Sequence, residues 1–330
     1  MDVKHFQKVI ANFEHSGCDY TADDVIAEFA SDNPDNFLFP FMEGVIANLK
    51  TLGKIRTSET YAATLCSFRR FREDKDVPLD DMDSDMMMAY EAYLKNNGVS
   101  PNSSSFYMRN LRAVYNRAVE KGLTSQRFPF KHVYTGVEKT VKRAVPLKVI
   151  KRIKEMDFSM NPSFDFARDM FLMSFYTRGM SFVDMAYLRK KDLQNGVLSY
   201  RRRKTGQQLF IKWEKCMQEI VDKYDTSQSN YLLPIIKPFG DIDERTQYIY
   251  AAHNINRCLK IIGKELGLSV SLTLYVARHA WASIAKSKNV PLSVISEGMG
   301  HDSEATTRIY LASLDTVAID KANSMILKSL

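Results

Sequence analysis

The sequence predicts a mainly α-helical protein of two domains, with a small β-hairpin in the second domain. The length of 330 residues suggests about two domains. Apolar residues recur at the three- to four-residue spacing of helices that pack on one face, in both halves of the chain. One segment differs, since residues 197–203 and 208–213 predict the two strands of a hairpin after the turn signal Asn195-Gly196.

The composition is that of a soluble, basic protein. Hydrophobic residues make up 45% and charged residues 26% of the chain, with a net charge of +7. This charge is compatible with a polyanionic partner, although taken alone it is better explained by a merely basic soluble protein. The N-terminal segment lacks the apolar run of a signal peptide, and no stretch approaches the roughly 20 apolar residues of a membrane span. Four scattered cysteines lack metal-ligand spacing and predict reduced thiols of a cytosolic protein: Cys18, Cys66, Cys216 and Cys258.

Residues 1–35 predict a short helical extension. A first helix is expected over residues 3–13 and a second after Thr21, and residues 31–36 have the composition of a loop. The segment is too short for a complete additional DNA-binding domain, so we expect a docking arm or a helical extension.

Residues 36–133 predict a compact domain of four helices. Thr57 or Ser58 is expected to cap the second helix, and the third helix should span residues 83–94. Ser100, followed directly by proline, predicts the start of the fourth helix.

Basic residues and one tyrosine are spread over these four helices. Any single one of them is more often simply solvated than bound, but as a group they suit contact with phosphates. The predicted DNA-contacting residues of this domain are Lys50, Lys54, Arg56, Arg69, Arg70, Tyr107, Arg109 and Arg112.

Residues 134–144 are polar, basic and turn-rich, which predicts an interdomain linker. The second domain is then residues 145–330. Besides the hairpin, it should contain a helix that runs to about Met156, two more over residues 214–224 and 245–266, and an amphipathic tail helix at its end.

The most informative stretch is residues 273–310, where three polar residues interrupt an apolar, helical pattern. Arg278 lies on a predicted packed helix, His301 lies at a turn, and Tyr310 ends a short helix nine residues later. A tyrosine hydroxyl can attack a phosphodiester while neighbouring cations stabilise the charge on the phosphoryl oxygens. The three side chains, held together, therefore predict phosphoryl transfer.

The segments ARHAWAS and GMGHDSEATTRIY resemble the C-terminal signature of the tyrosine recombinases, the phage-integrase family. In that family a His-x-x-Arg-His segment precedes Leu-Gly-His and, nine residues later, the nucleophilic tyrosine. One departure is that Tyr275 stands where the family has its first histidine. Tyr275 can donate a hydrogen bond to phosphate, but a phenol with a pKa of about 10 is a poor general base. His301, water or a phosphate oxygen therefore remain as acceptors for the proton of Tyr310.

The resemblance implies a two-domain, C-shaped clamp around duplex DNA. Residues 36–133 would form the helical core-binding domain and residues 145–330 the catalytic domain. In such proteins the tail helix after the tyrosine docks on a neighbouring protomer, so packing in cis and packing in trans stay open for the tail of this chain.

The family's first active-site arginine lies three residues before an acidic residue. Matching Asp184 to that acid places Ser181 at the position of the arginine and Arg178 three residues earlier. On a helix these positions are nearly one turn apart, so Arg178 could present its guanidinium on the same face. The segment RGMSFVDMAYL resembles a subgroup of bacterial mobile-element integrases and invertases that share this shift. We therefore assign the role of the first arginine to Arg178, and expect Asp184 and His279 to orient the arginines from behind.

The predicted hairpin falls between the two arginine motifs, where the family carries a catalytic lysine. Lys204, at the KTG tip, matches that lysine and is the expected general acid, which donates a proton to the leaving 5′ oxygen. Arg201, Arg202 and Arg203 are alternative candidates and are expected to contact phosphates.

The function that the resemblance implies is site-specific DNA recombination, as integration, excision or inversion. Tyr310 would form a 3′-phosphotyrosine while Arg178, Arg278 and His301 bind the non-bridging oxygens. The energy of the broken bond is kept in the covalent link and side chains neutralise the charge, so no cofactor and no metal are expected. The expected partners are double-stranded DNA, further copies of the chain in a homotetramer on paired sites, and accessory DNA-bending proteins, with no membrane. The expected location is the bacterial cytoplasm, at the nucleoid.

Two other functions stay open. A catalytically inactive DNA-binding protein of the same fold is disfavoured, because the arginines, lysine, histidine and tyrosine of the site are all present. A type IB topoisomerase shares the chemistry but relaxes DNA without a defined site or a tetramer. Within recombination, the short N-terminal segment slightly favours a DNA invertase or a simple integrase.

Overall fold

The structure is a computed structural model that describes residues 3–16, 19–25, 36–138, 143–237, 241–311, 324 and 327. The chain divides into two compact units, Met1–Lys139 and Thr140–Leu330. In the described part, helices dominate and one three-stranded sheet lies in the second unit, so the predicted fold class is confirmed. The predicted domain boundaries at residues 35, 133 and 144 stay predictions.

The first unit is helical throughout its described secondary structure. Its α-helices are α1 (Val3–Ser16), α2 (Leu38–Thr51), α3 (Ile55–Phe71), α4 (Ser84–Asn96) and α5 (Pro101–Glu120), with a 3₁₀ turn over Leu79–Asp81. Helix α1 therefore extends past the predicted end at residue 13.

One predicted helix cap is present and one is wrong. Ser100 accepts a backbone N–H bond at the start of α5, as predicted. Asp83, which was expected to begin the third helix, instead caps α4 from the position before Ser84. Helix α3 begins at Ile55 without a side-chain cap, so neither predicted cap residue precedes it. Ser58 instead lies in the first turn, where its hydroxyl donates to the carbonyl of Ile55 at 2.7 Å.

The core of the first unit is built on aromatic side chains from neighbouring helices. The Phe68 ring meets the Tyr90 ring edge to face, with centroids 5.0 Å apart, and also packs on Phe39. The hydroxyl of Tyr90 would be costly to bury alone, and it donates to Ser67 Oγ at 2.7 Å. These contacts fix α2, α3 and α4 against one another.

The second unit carries the remaining helices and the sheet. Its elements are α6 (Leu147–Glu155), α7 (Pro162–Tyr176), α8 (Phe182–Ala186), β1 (Leu193–Gln194), β2 (Val197–Arg201), β3 (Gln208–Lys212), α9 (Lys215–Asp222), α10 (Glu244–Glu265), α11 (Leu274–Ser287), α12 (Leu292–Gly298) and α13 (Glu304–Leu311). Helix α7 packs against α10 and α11 and is the centre of this unit.

The sheet is antiparallel in the order β1-β2-β3, and the predicted hairpin is its larger part. Leu198 lies opposite Ile211 and Tyr200 opposite Leu209, and all four side chains are buried on one face. The short strand β1, which pairs with β2, was not predicted. Because one face of the hairpin is anchored in the core, its loop is held in a defined place.

Helix α7 also carries a buried carboxylate that ties it to α9. Asp169 is 2% exposed, and its oxygens accept from Arg168 Nε at 3.0 Å and from the Tyr224 hydroxyl at 2.8 Å. Lys223 completes the cluster with an ion pair to the same carboxylate. In the described part of the chain, no helix is long and apolar enough to cross a membrane.

Candidate active site

A cavity of about 430 Å³ opens in the second unit between the hairpin loop, α8, α10 and α11. The chemistry-bearing residues that line it are Arg202, Lys204, Tyr275, Arg278 and His301. Four of these were predicted as catalytic residues and Arg202 was predicted to contact phosphates. The structure therefore brings most of the predicted site to one place.

Arg278 is the most firmly held group of the site. It lies on α11, it is 5% exposed, and its guanidinium donates to two backbone carbonyls. Nη1 lies 2.6 Å from the oxygen of Gly179, and Nη2 lies 2.7 Å from the oxygen of Met299. Such a clamp holds the planar group in one orientation before any substrate arrives.

The approach of the Gly179 backbone to Arg278 requires glycine. Gly179 has a φ of +75°, a conformation that other residues rarely adopt. A Cβ atom at this position would lie 2.7 Å from the Cα of Arg278, which is too close for real atoms. The glycine therefore serves the placement of the arginine.

His301 is half-buried and neutral near pH 7. Its Nε2 lies 2.9 Å from Nη2 of Arg278, and because a guanidinium only donates, Nε2 is the unprotonated nitrogen. Nδ1 then carries the proton and donates to Oγ1 of Thr307 at 2.7 Å. Burial, followed by the nearby charges of Arg278, Arg202 and Lys204, lowers the pKa of His301 to about 4. The free protein thus presents a neutral imidazole where the sequence suggested a third cation.

The hairpin loop places Arg202 inside the site and Lys204 at its edge. Backbone bonds close the loop, since Arg202 N–H donates to the Gln207 carbonyl and Gly206 N–H to the Arg202 carbonyl, both at 2.8 Å. Arg202 is 6% exposed and its Nη1 donates to the carbonyl of Gly300. Lys204 is exposed to solvent on the cavity wall. This arrangement makes Lys204 the accessible amine of the loop.

Arg178 does not share a helix face with Ser181, so that part of the sequence reasoning is wrong. Helix α7 ends at Tyr176, and Arg178 has a φ of +60° in the turn that follows. Its Cδ passes near Gly298 of α12, 3.7 Å from where a Cβ on that glycine would be. Within the described residues, Arg178 is not part of the cavity wall. Its assignment as a catalytic residue stays a prediction.

Asp184 orients the hairpin through the backbone. Its Oδ2 accepts from the hydroxyl of Ser181 at 2.5 Å, and its Oδ1 accepts from the backbone N–H of Arg203 at 2.9 Å. The carboxylate is 4% exposed and, among the described residues, bonds to no guanidinium. The expectation that Asp184 holds arginine side chains is therefore corrected. It joins the start of α8 to the loop that carries Lys204.

Tyr275 and His279 lie one turn apart on α11. Tyr275 is 58% exposed on the cavity wall, and its ring stands edge to face on the ring of His279 with centroids 4.5 Å apart. His279 is 8% exposed, and its expected role of orienting the arginines stays a prediction. The arrangement leaves the phenol of Tyr275 at the mouth of the cavity.

Tyr310 lies in the last turn of α13, and its side chain falls outside the described part of the structure. The helix itself is tied to the site, because Thr307, fully buried three residues before Tyr310, binds His301. Sequence reasoning missed Thr307. Its signal was available, since residues three apart on a helix share a face. The tail helix predicted after Tyr310 also falls outside the described residues.

The residues of the first unit that were predicted to contact phosphates differ in their exposure to solvent and in whether they are paired with a carboxylate. Arg69 pairs with Glu43 at 2.7 Å and stacks over the ring of Phe39 at 4.8 Å. Arg56 pairs with Glu59 at 3.2 Å. The exposed members of the predicted set are Lys50, Lys54, Arg56, Arg70, Arg109 and Arg112, and Tyr107 is half-buried.

Two segments of the chain match known family models. Residues 37–133 match the phage integrase SAM-like domain, and residues 147–316 match the phage integrase family. A sequence comparison with curated proteins finds no match.

Several solved structures share the fold. A lambda integrase dimer bound to a COC′ core site aligns with a TM-score of 0.66 at 17% identity, over 92% of this chain and 85% of that one. A lambda integrase tetramer bound to a Holliday junction gives 0.64 at 18% identity, over 91% and 84%. The XerH site-specific recombinase on a palindromic difH substrate, in a post-cleavage complex, gives 0.61 at 16% identity, over 86% and 83%. At these identities the likeness concerns the fold.

Proposed function

The chain belongs to the phage integrase family of tyrosine recombinases, and from this premise we propose that Tyr310 cuts and rejoins DNA at the cavity described above. The protein is a site-specific recombinase by its family. The observation that carries the residue assignment is the convergence of Arg278, His301 and Lys204 on one cavity, next to the helix that bears Tyr310.

The proposed cleavage step exchanges one phosphodiester bond for another. The phenol oxygen of Tyr310 attacks phosphorus, the bond between phosphorus and the 5′ oxygen breaks, and a 3′-phosphotyrosine and a 5′ hydroxyl result. Lys204 donates the proton that the 5′ oxygen receives. Arg278 donates hydrogen bonds to the non-bridging oxygens and stabilises their charge in the transition state.

The phenol proton is assigned to His301. Its Nε2 is the unprotonated nitrogen in the free protein, and the negative charge of a bound phosphate opposes the cations that lower the pKa of the ring. Thr307 holds the opposite nitrogen and so keeps Nε2 turned towards Arg278 and the cavity. In the rejoining step a 5′ hydroxyl attacks the phosphotyrosine, and the same groups act in reverse.

The proposed partners are double-stranded DNA and further copies of the same chain. One lambda integrase structure with this fold is a tetramer bound to a Holliday junction, which supports a homotetramer on paired sites. Exposed cations of the first unit would contact the DNA backbone, and accessory DNA-bending proteins would join the complex. We place the reaction at the nucleoid of a bacterial cytoplasm.

The nucleophile is tested by trapping the covalent intermediate. Duplexes that the protein binds are first selected from a random DNA library, then given a nick next to the mapped cleavage position so that cleavage cannot reverse. The wild-type protein should form an adduct that survives denaturation, and Tyr310→Phe should form none while it still binds DNA. Tyr250→Phe removes an exposed phenol of α10 outside the cavity wall and serves as the matched control.

An adduct that persists in Tyr310→Phe would remove Tyr310 from the role. Relaxation of a supercoiled plasmid that lacks any selected site would favour a topoisomerase over a recombinase. Exchange between two plasmid-borne copies of the selected site completes the test of recombination.

A further inference from the structure

The position at which the family carries its first arginine is occupied by a side chain without charge. Ser181 caps α8, and its hydroxyl is bound to the buried carboxylate of Asp184 at 2.5 Å. It also lines the cavity with Arg278 and His301. The wall around Ser181 therefore lacks the guanidinium expected there, and the phosphate would face a single arginine unless another segment supplies one.

A second guanidinium does reach the cavity from the hairpin. Arg202 lines the same wall as Ser181 and Arg278, and the residue is only 6% exposed to solvent. Its Nη1 is anchored on the carbonyl of Gly300, the residue directly before His301. Gly300 has a φ of +64°, and a Cβ there would lie 3.1 Å from Cδ of Arg202, so a larger residue would crowd the arginine.

Part of the Arg202 guanidinium has no partner within the described structure. Its Nε is buried and unbonded, and so is the hydroxyl oxygen of Thr205, which lines the same cavity. Buried polar groups are nearly always bonded, and an exception in a cavity indicates a missing ligand or water. Arg202 is a charged, donor-only residue that lines the cavity, so an anionic acceptor bound there would suit it.

We propose that Arg202 binds a non-bridging oxygen of the scissile phosphate and takes the place of the arginine that is absent at Ser181. This inference rests on the proposed function and names a further catalytic residue for it. Arg202 and Arg278 then face the phosphate from two different segments, the hairpin loop and α11. Arg178 lies off the cavity wall in the described residues and is not required for the contact.

The charges around the cavity fit an anion at this place. Arg202, Lys204 and Arg278 all line it, against one exposed carboxylate, Asp302. Asp184 points to the backbone of the hairpin and to Ser181, so it does not neutralise Arg202. Backbone carbonyls hold the two arginines close together, and a phosphate bound between them offsets their mutual repulsion.

The test compares cleavage rates on two forms of the selected, nicked duplex. One form has an ordinary scissile phosphate, and in the other a methyl group replaces one non-bridging oxygen, with the two stereoisomers separated. On ordinary DNA, Arg202→Ala should cleave about 10²–10³-fold more slowly than the wild type, while its affinity for the duplex changes little. On the stereoisomer that lacks the oxygen facing Arg202, the wild type and the variant should cleave at similar rates.

Matched variants separate this contact from a structural role. Lys212→Ala removes a cation from the same hairpin at a site 79% exposed and should cleave like the wild type. Arg202→Lys keeps the stem and the positive charge but loses the planar fork, so it should fold normally and remain slow.

Two results would overturn the inference. Wild-type cleavage by Arg202→Ala would show that the residue is not needed, and an equal loss on all DNA forms would show that it only supports the fold. If the wild type itself formed no adduct, the proposed function would fall together with this inference. If wild type and Arg202→Ala formed adducts equally fast, the inference alone would fall.

Discussion

His301 should remain neutral far below the ordinary pKa of histidine, and titration of the free protein tests this. Burial, followed by the charges of Arg278, Arg202 and Lys204, lowers its pKa from 6.5 to about 4. This difference corresponds to roughly 3.5 kcal/mol at about 1.4 kcal/mol per pKa unit. Because the ring is only half-buried beside an open cavity, solvent screening reduces the expected effect to about 1–2 kcal/mol.

The sign of the effect on stability follows from the direction of the pKa shift. The fold favours the neutral ring, so the contribution of His301 is complete above pH 6.5, the ordinary value, and is lost as the pH falls towards 4. In that window the wild type should lose about 1–2 kcal/mol more unfolding free energy than His301→Gln, which cannot titrate there. Both tryptophans, Trp213 and Trp281, lie in the second unit, so their fluorescence during urea unfolding reports on this unit.

The pKa itself is measured by NMR on protein with labelled histidine rings. The chain has six histidines, and the signal that disappears in His301→Gln identifies the ring of interest. Its titration midpoint should lie near 4, and its shifts should report the tautomer with the proton on Nδ1. A midpoint near 6.5, or a proton on Nε2, would refute the reasoning about burial and about the bond from Arg278.

Three further predictions concern other parts of the chain. Arg70→Ala should lower the salt dependence of DNA binding by about one unit of the logarithmic slope, measured by fluorescence anisotropy; an unchanged slope would mean that Arg70 faces away from DNA. Gly179→Ala should destabilise the second unit by at least about 1–2 kcal/mol in urea unfolding, because its φ is positive and its Cβ would meet Arg278; a wild-type midpoint contradicts this. Asp184→Ala should leave the Arg203 amide unpaired, raise its hydrogen exchange rate and slow cleavage while DNA affinity is kept; unchanged exchange would exclude the anchoring role.

The part of the site that lies on short, local patterns could be predicted from the sequence. Arg278 and His301 stand in a compact signature, and the hairpin that carries Lys204 follows from strand propensity and turn residues. The helices of the first unit follow from apolar spacing, and Ser100 caps its helix as its residue type predicts. In each case the information lies within a few residues of the feature.

The rest depends on backbone groups that are distant in the chain. Helix α3 begins without any side-chain cap, so no residue type marks its start. The turn after α7 places Arg178 in a left-handed conformation, which apolar spacing cannot indicate. Arg202 turns inward because loop bonds from Gln207 and Gly206 close beneath it and because the Gly300 carbonyl receives it. The sequence shows three consecutive arginines, Arg201, Arg202 and Arg203, and no local pattern indicates which of them is buried.

Because main-chain oxygens hold Arg278 and Arg202, the residues that supply those oxygens differ in which substitutions they tolerate. The carbonyls of Gly179, Met299 and Gly300 hold the two guanidiniums, and a carbonyl is the same in every amino acid. Position 299 can therefore accept other residues that fill the same buried volume as methionine. Gly179 and Gly300 cannot be replaced in this way, because their φ angles are positive and the arginines leave no space for a side chain. A library randomised at residue 299 should retain many active members, and one randomised at residue 179 should retain almost none. Diversity in such a site can accumulate around the arginines while their positions stay unchanged.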